Sequence, residues 1–453
     1  MRMNTDSQSI SASGESRRSF LKKTATLTAA AAAPALFKNT VYGQAPSANV
    51  SGANNRIVVG VIGTGKQGTH HLQIFKEEAG AQNVVVGAVC DLYQKNLTAA
   101  KKFTELADKD GYADHRKLLE RKDLDAVLIA SVDNWHGQLS LDALDAGKHV
   151  YCEKPMTRYA GEGWEVYDKV KSTGKVYQCG SQYTADPMIH HVAKWIQDGK
   201  LGPLVWAQGS YCRNNKKNSE WTFDVDKDAN PSNLDWERWL GKAPKIPWTP
   251  EHYFSWHKYY AYNSGILGNL LSHRFYPLML ATGNPEFPRR VVCTGTRKIS
   301  TDRDITDTTH VLVEFPSGLT FVIAGSTVNE VGLPDIIRGR KATVSLAASA
   351  NQAQLRPEKL FADEMDVEDF NDPAPHGKSE NLHINFFKCI RQGGTPFCNV
   401  DLSVRANTTL ALAEMSERLG MVCFFDEKTR TIRNGEGKVV PAMSYDTVVP
   451  KFS

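Results

Sequence analysis

Apolar and polar positions follow two different rhythms along this chain, and the change between them near Ser181 divides it. From Ile57 the sequence runs Ile-Val-Val-Gly-Val-Ile without a polar break, the pattern of a strand buried on both faces. Similar runs occupy Val84–Cys90 and Asp125–Ala130, with shorter ones at His149–Cys152 and Val176–Cys179. Helical patterns fall between them at Thr69–Glu78, Lys95–Leu106, His115–Glu120 and Gly137–Ala146. This strand–helix alternation predicts an α/β fold over residues 56–180: a doubly wound parallel sheet with helices on both faces.

Past Ser181 a single helix, Pro187–Asp198, precedes a succession of strand-like segments: Val205–Cys212, Arg290–Arg297, His310–Phe315, Leu319–Ser326 and Lys341–Leu346. Pro316-Ser317-Gly318 reads as a hairpin turn between two of them. Strands without intervening helices predict a second, α+β domain over 181–453, built on a mainly antiparallel, open-faced sheet. Helical patterns return at Leu382–Arg391 and Leu402–Leu419, and the last helix is expected to pack back on the first domain.

Composition changes this picture little. The chain has 453 residues, 41% of them hydrophobic, enough apolar material for two or three domains. Its formal charge of +4 resides at the N-terminus: residues 1–45 hold six Lys and Arg against two Asp and Glu, leaving 48 of each elsewhere. A near-neutral remainder gives no electrostatic case for nucleic acid or an acidic membrane as partner. The N-terminal stretch reads Ser16-Arg17-Arg18-Ser19-Phe20-Leu21-Lys22-Lys23 ahead of an Ala-rich run from Thr24 to Phe37. A twin-arginine pair before a short apolar segment predicts a Tat signal peptide over 1–45, read by the Tat translocon. Residues 46–55 then form a linker, and the destination is periplasmic or otherwise exported. No other segment approaches the roughly 18 apolar residues of a membrane span, so the mature chain is not expected to cross a bilayer. Eight cysteines without C-x-x-C spacing predict small buried thiols rather than a zinc site or disulfide framework.

The first chemistry lies at Gly63-Thr64-Gly65-Lys66-Gln67-Gly68, which follows a buried strand and opens a helix. Gly63 permits the tight turn, Gly65 lets backbone approach a pyrophosphate, and Gly68 lets helix and strand pack closely. The free N–H groups of that helix terminus favour phosphate. Asp91 ends the next strand 28 residues after Gly63. There it can accept a hydrogen bond from a ribose 2′-hydroxyl and repel a 2′-phosphate, which favours NAD over NADP. Lys95, close by in sequence, softens that preference.

Two further segments, VLIASVDNWH at 127–136 and GKHVYCEKPMT at 147–157, closely resemble the glucose–fructose oxidoreductase, inositol dehydrogenase and rhizopine-catabolism family. The resemblance runs from Arg56 to about Lys438 and includes Trp236–Gly241 and the region Asn381–Arg391. It implies a bound nicotinamide dinucleotide and a carbohydrate substrate. Cofactor contacts are then expected from Lys66, Gln67, Ser131, Asn134, His136, Glu153, Lys154 and Gln182, besides the glycine loop and Asp91. The Glu153-Lys154-Pro155 triplet is expected at the nicotinamide end, with Lys154 as catalytic lysine; an ammonium beside a sugar hydroxyl polarises it. The family's second signature, an Asp or Asn four residues before a His, is matched by Asn269 and His273, a spacing that places both on one helical face. His273 would take the hydroxyl proton while Asn269 orients the sugar. The resemblance also implies dimers or tetramers formed through the open sheet faces.

This chain departs from the family pattern in two places. Tyr183 stands where many relatives carry Arg, and Leu270-Leu271-Ser272 is more apolar than usual before the histidine. Both fall in the expected pocket, so Tyr183 joins the candidate substrate contacts. Trp256, His257 and Tyr260 are candidates too, read equally as sugar-facing wall or plain core. Trp236 and Trp239 read as packing; Arg213 could touch substrate but reads more readily as exposed.

Three functions fit this sequence. One is an oxidoreductase moving hydride between a sugar or polyol hydroxyl carbon and a tightly bound cofactor. Another is a glycoside hydrolase that uses NAD transiently, oxidising a ring hydroxyl, eliminating the glycoside and returning the hydride. A third is a non-catalytic dinucleotide- or sugar-binding protein, against which an intact lysine and histidine argue.

Overall fold

The computed structural model describes residues 55–214, 220–347, 351–373 and 377–449. The expected Tat signal and all of the expected linker but Asn55 lie outside them.

The continuous apolar runs become strands of one parallel sheet: β1 (Ile57–Ile62), β2 (Val84–Cys90), β3 (Gly111–Tyr112), β4 (Ala126–Ile129), β5 (His149–Glu153) and β6 (Tyr177–Gly180). Their spatial order is β3-β2-β1-β4-β5-β6, the arrangement of a dinucleotide-binding fold whose crevice opens at the carboxyl ends of the strands. Helices α1 (Lys66–Gln82), α2 (Gln94–Thr104), α3 (His115–Leu119), α4 (Asp133–Asp145) and α5 (Ala160–Thr173) connect them. Side chains of a strand alternate between faces, so Ile57, Val59 and Val61 enter one core, and Val58 and Ile62 another. That double burial is why β1 carries no polar residue.

The second sheet has eleven strands in the order β14-β13-β12-β11-β7-β10-β9-β8-β15-β16-β17. Its centre comprises β7 (Leu204–Cys212), β8 (Arg290–Thr296), β9 (Thr308–Glu314), β10 (Thr320–Ser326), β11 (Asp335–Gly339) and β12 (Ala342–Ala347). The outer strands are β13 (Gln352–Pro357), β14 (Glu368–Asn371), β15 (Cys423–Asp426), β16 (Thr431–Arg433) and β17 (Val439–Val440). All pairings are antiparallel except β7 with β10. The hairpin at Pro316-Ser317-Gly318 joins β9 to β10, with Gly318 at φ 87° and its N–H donating to the Phe315 carbonyl at 3.0 Å. Buried and exposed residues alternate along β8 and β9. One face of the sheet is thereby left open, with Val205, Val292 and Leu312 exposed.

Helices fill the side facing the first domain: α6 (Pro187–Gln197), α7 (Trp236–Leu240), α8 (Pro250–Phe254), α9 (Ser272–Ala281), α10 (Ser379–Gln392) and α11 (Val400–Leu419). The last helix docks on α5, where Trp164 Nε1 donates to Thr408 Oγ1 at 3.0 Å. Beyond what the pattern predicts, α10 also returns, sending Phe386 and Phe387 into the core on the Ile57 face of the first sheet. A buried ion pair ties the domains together: Arg158 meets both carboxylate oxygens of Glu414 at 2.5 and 2.7 Å and donates to the Tyr260 carbonyl at 2.7 Å. All eight cysteines are free, and all but Cys212 are buried.

Candidate cofactor and substrate site

The glycine loop joins β1 to α1, and its three glycines answer to different demands. Gly63 adopts φ 85°, a left-handed conformation that glycine tolerates best. A Cβ on Gly68 would stand 1.9 Å from the Gly63 carbonyl oxygen, so no side chain fits. At Gly65, among the described residues, the only neighbour of a Cβ within 4 Å is Asn96 Nδ2, at 3.9 Å. The fold therefore has room for a side chain there, and a ligand's close approach is the remaining physical reason for glycine. The loop fits a dinucleotide. Gly68→Ala is expected to force the loop off α1, costing about 1–3 kcal/mol and abolishing NADH binding in a fluorescence titration. Unchanged binding would contradict this account of the turn.

Asp91 ends β2 beside the loop, but its carboxylate is largely occupied. Oδ2 accepts the Thr64 N–H at 2.8 Å and the Thr64 hydroxyl at 3.1 Å, and Oδ1 accepts the Tyr93 N–H at 2.8 Å. Burial pushes this carboxyl above its ordinary range against the pull of those donors. Asp91 thus positions the glycine loop first, which sequence reading did not anticipate.

The Glu153-Lys154-Pro155 triplet follows β5 directly. Glu153 is buried and points at α1, accepting from His71 Nε2 at 2.8 Å and Gln67 Nε2 at 3.1 Å. Although burial opposes its charge, His71, Lys154 and Gln67 hold its carboxyl below the usual value. Lys154 Nζ donates to the main-chain carbonyl of Asn269 at 3.3 Å, across the domain boundary. That carbonyl belongs to a wide helical turn, Leu267–Leu271, with i→i+5 pairing, a form that recurs at functional sites. Asn269 Nδ2 is spent on Asn263 Oδ1 at 3.0 Å and the Gly265 carbonyl at 3.2 Å. Asn269 therefore holds Lys154 through its backbone.

His273 opens α9 between two aromatic rings, with Tyr183 at 5.3 Å and Tyr211 at 5.6 Å between centroids. Burial, with Lys154, Arg274 and Arg213 nearby, pushes its pKa well below 6.5, so the imidazole is neutral at pH 7. His257 is depressed to about 3 by burial and the charges of Lys154, Arg213 and Lys66. Its ring stacks on Trp256 at 3.7 Å. Lys154, His273, His257 and Tyr183 therefore gather at one place, with Trp256 behind them.

Other expected residues serve the surrounding structure. Tyr260 lies in the domain-linking cluster, its ring under Arg418 at 4.2 Å and its hydroxyl toward Glu417 at 3.3 Å. His136 has Nδ1 at 2.7 Å from the Pro155 carbonyl and Nε2 at 3.1 Å from the Ser131 carbonyl. Burial opposes its charge, but Cys152, Asp133 and the Pro155 carbonyl raise it to about 10. With both nitrogens donating, His136 braces the triplet from beneath. Asn134 donates from Nδ2 to the Leu240 carbonyl at 3.2 Å, and so fastens the domains together. Ser131 and Gln182 are half-buried, Ser131 after β4 and Gln182 after β6, while Lys66 is exposed with its ammonium 5.6 Å from the Phe223 ring.

Tyr211 went unrecognised, and Arg213 reads from the sequence only as an outside candidate. Both stand at the carboxyl end of β7; the Arg213 side chain is 41% exposed and pairs with Glu220 at 3.0 Å, while its charge still reaches His257 and His273. Only the parallel packing of β7 beside β10 brings that end of the strand to the site.

Comparison with known proteins places both domains in one family. Residues 57–181 match an oxidoreductase family with an NAD-binding Rossmann fold, and residues 242–422 match that family's C-terminal alpha/beta domain. A glycosyl hydrolase family 109 protein from Shewanella sp. (strain ANA-3) is 32% identical over 216 residues, covering 44% of this chain and 46% of its own. A levoglucosan dehydrogenase from Pseudarthrobacter phenanthrenivorans is 28% identical over 126 residues, 28% of this chain and 31% of its own. The matched regions thus span about a third to a half of these relatives. A solved levoglucosan dehydrogenase in complex with NADH and levoglucosan superposes with TM-score 0.60 at 18% identity, covering 80% of this chain and 96% of that one. At that identity the likeness is one of fold.

Proposed function

The chain belongs to the glucose–fructose oxidoreductase, inositol dehydrogenase and rhizopine-catabolism family of NAD-binding oxidoreductases, and we propose that it oxidises a hydroxyl carbon of a sugar or polyol. The observation that carries this reading is the convergence of Lys154 and a neutral His273 from different domains beside the dinucleotide crevice.

NAD, when bound, supplies the hydride acceptor. Lys154, steered by the Asn269 carbonyl, donates to the reacting hydroxyl oxygen and polarises it. His273 takes the hydroxyl proton as the C–H electrons leave as hydride, and the carbon becomes a carbonyl. Tyr183 and Tyr211 fix the His273 ring, and Trp256 with His257 forms an apolar wall suited to a sugar's C–H face. The twin-arginine leader supports export by the Tat pathway, and an exported enzyme keeps its cofactor bound between turnovers. The open face of the second sheet supports assembly as a homodimer or homotetramer. Among the described residues no helix is long and apolar enough to cross a membrane.

A second reading has its own support in the family 109 relative. The same lysine and histidine serve a redox-neutral hydrolysis in which oxidation acidifies a neighbouring C–H, the aglycone leaves by elimination, water adds across the resulting double bond, and the hydride returns to the carbonyl. Ultraviolet–visible spectra of the purified protein, taken with free sugars and aryl glycosides and without added cofactor, separate the two. The oxidoreductase builds up a reduced-nicotinamide band with a free sugar. The hydrolase releases the aryl group and leaves no lasting band. If no substrate produces either signal in protein shown to hold nucleotide, both readings fall.

A further inference from the structure

In a dinucleotide-binding fold the adenosine ribose meets the end of the second strand, and a cation nearby accommodates the extra phosphate of NADP. Lys95, four residues after Asp91, is a cation in that place. It is not free. Its ammonium pairs with Asp226, which the second domain supplies. Tyr93 donates its hydroxyl to the same carboxylate oxygen at 2.8 Å, while the other oxygen accepts the Asp228 N–H at 3.0 Å.

The segment bearing Asp226 runs from β7 toward α7 and is pinned to the corner between β2 and α2. Gln94 N–H donates to the Asn233 carbonyl at 2.9 Å, and Asp235 N–H donates to the Leu92 carbonyl at 3.2 Å. Tyr93 and Leu234 form an isolated bridge. Tyr93, Leu234, Trp236, Trp239 and Tyr262 bury a shared apolar cluster beneath them. The anchoring is thus apolar and main-chain. An exposed ion pair adds only about 0–1 kcal/mol of stability, so the Lys95–Asp226 contact has little to do with holding the segment down.

We propose that Asp226 is the residue that excludes NADP. It cancels the charge of Lys95, and with Asp228 it leaves two carboxylates against one ammonium at the ribose corner. The ligand class favoured is a dinucleotide with a free 2′-hydroxyl. Selectivity then draws on the second domain as well as on Asp91 and the glycine loop. Asp226 is held at about 2, through Lys95 foremost, and stays ionised. The inference rests on the family's NAD-binding fold and is independent of which sugar is oxidised.

The test is a titration of the full, cofactor-stripped chain with NADH and with NADPH, followed by nucleotide fluorescence at low and high salt. The natural protein is expected to prefer NADH by about tenfold or more, on the scale of one unit-charge interaction. Raising the salt should shrink that preference, because the discrimination is electrostatic. Asp226→Asn should tighten NADPH until the two nucleotides bind within about threefold, with NADH little changed. Lys95→Met, which leaves the carboxylates in place, should widen the preference. The proposal is overturned if the natural protein binds both nucleotides equally, or if a folded Asp226→Asn protein keeps the original ratio. It is equally overturned if Lys95→Met improves NADPH. Failure to bind either nucleotide would remove the placement of the ribose on which it depends.

Discussion

Lys154→Met is expected to abolish sugar-dependent reduction of the cofactor while the protein still binds NADH. The expected loss is about a hundred- to ten-thousand-fold in turnover, the range for removing a positioned proton-transfer group. Methionine retains most of the apolar stem, so Asn269 and the triplet stay packed while the ammonium is gone. The His273 side of the mechanism adds a pH signature to the same measurement. In the proposed mechanism its neutral form accepts the proton, and burial with neighbouring cations holds its pKa well below 6.5. The acid limb of kcat/KM that belongs to His273 therefore lies below pH 6.5, and activity is lost only as pH falls through that depressed value. A Lys154→Met enzyme with full turnover would remove the chemistry common to the dehydrogenase and hydrolase readings.

The second large effect is on stability. Glu414→Leu is expected to cost about 3–5 kcal/mol, because it leaves the Arg158 guanidinium buried without its carboxylate. Both side chains are essentially inaccessible, at 0% and 1%. Arg418 also reaches Glu414, at 2.7 Å, so the carboxylate serves two cations. The double variant Arg158→Met/Glu414→Leu should recover much of the loss in chemical denaturation, since an apolar pair can replace a buried ion pair at little net cost. Equal loss in the single and double variants would show that packing alone, and not the stranded charge, sets the effect. Burial opposes the Glu414 charge, but Arg158 and Arg418 hold its carboxyl below the ordinary 4.5. Its stabilisation is therefore complete above about pH 4.5 and is lost as pH falls through the lowered value.

Much of this molecule follows from local pattern. Two-faced burial of β1 requires an unbroken apolar run, and the jump to Gly63-Thr64-Gly65 is needed because backbone must turn tightly there and meet a ligand. Both requirements act within a few residues, so they are written in adjacent positions. The same holds for the hairpin at Gly318 and for the alternating β8 and β9. β11 and the outer strands β13–β17 went unread because they are short and mix polar with apolar residues, so the period-2 signal has few positions to build on. The site is another matter. Family resemblance identified Lys154, Asn269 and His273, but their division of labour depends on contacts spanning more than a hundred residues, such as Lys154 Nζ with the Asn269 carbonyl. Tyr211 and Arg213 reach His273 only because β7 lies parallel to β10.

By itself, then, the sequence determined the two sheets, the glycine turn and the family, because periodicity and turn chemistry are short-range and each residue states its own preference. Only the tertiary structure decided what those residues touch. Asp91 spends its carboxylate on the loop, His136 braces Pro155, Tyr260 faces Arg418, and Lys95 meets a carboxylate from the other domain. Charge and hydrogen-bonding capacity are consumed by whichever partners the fold delivers, and those partners have no fixed distance along the chain.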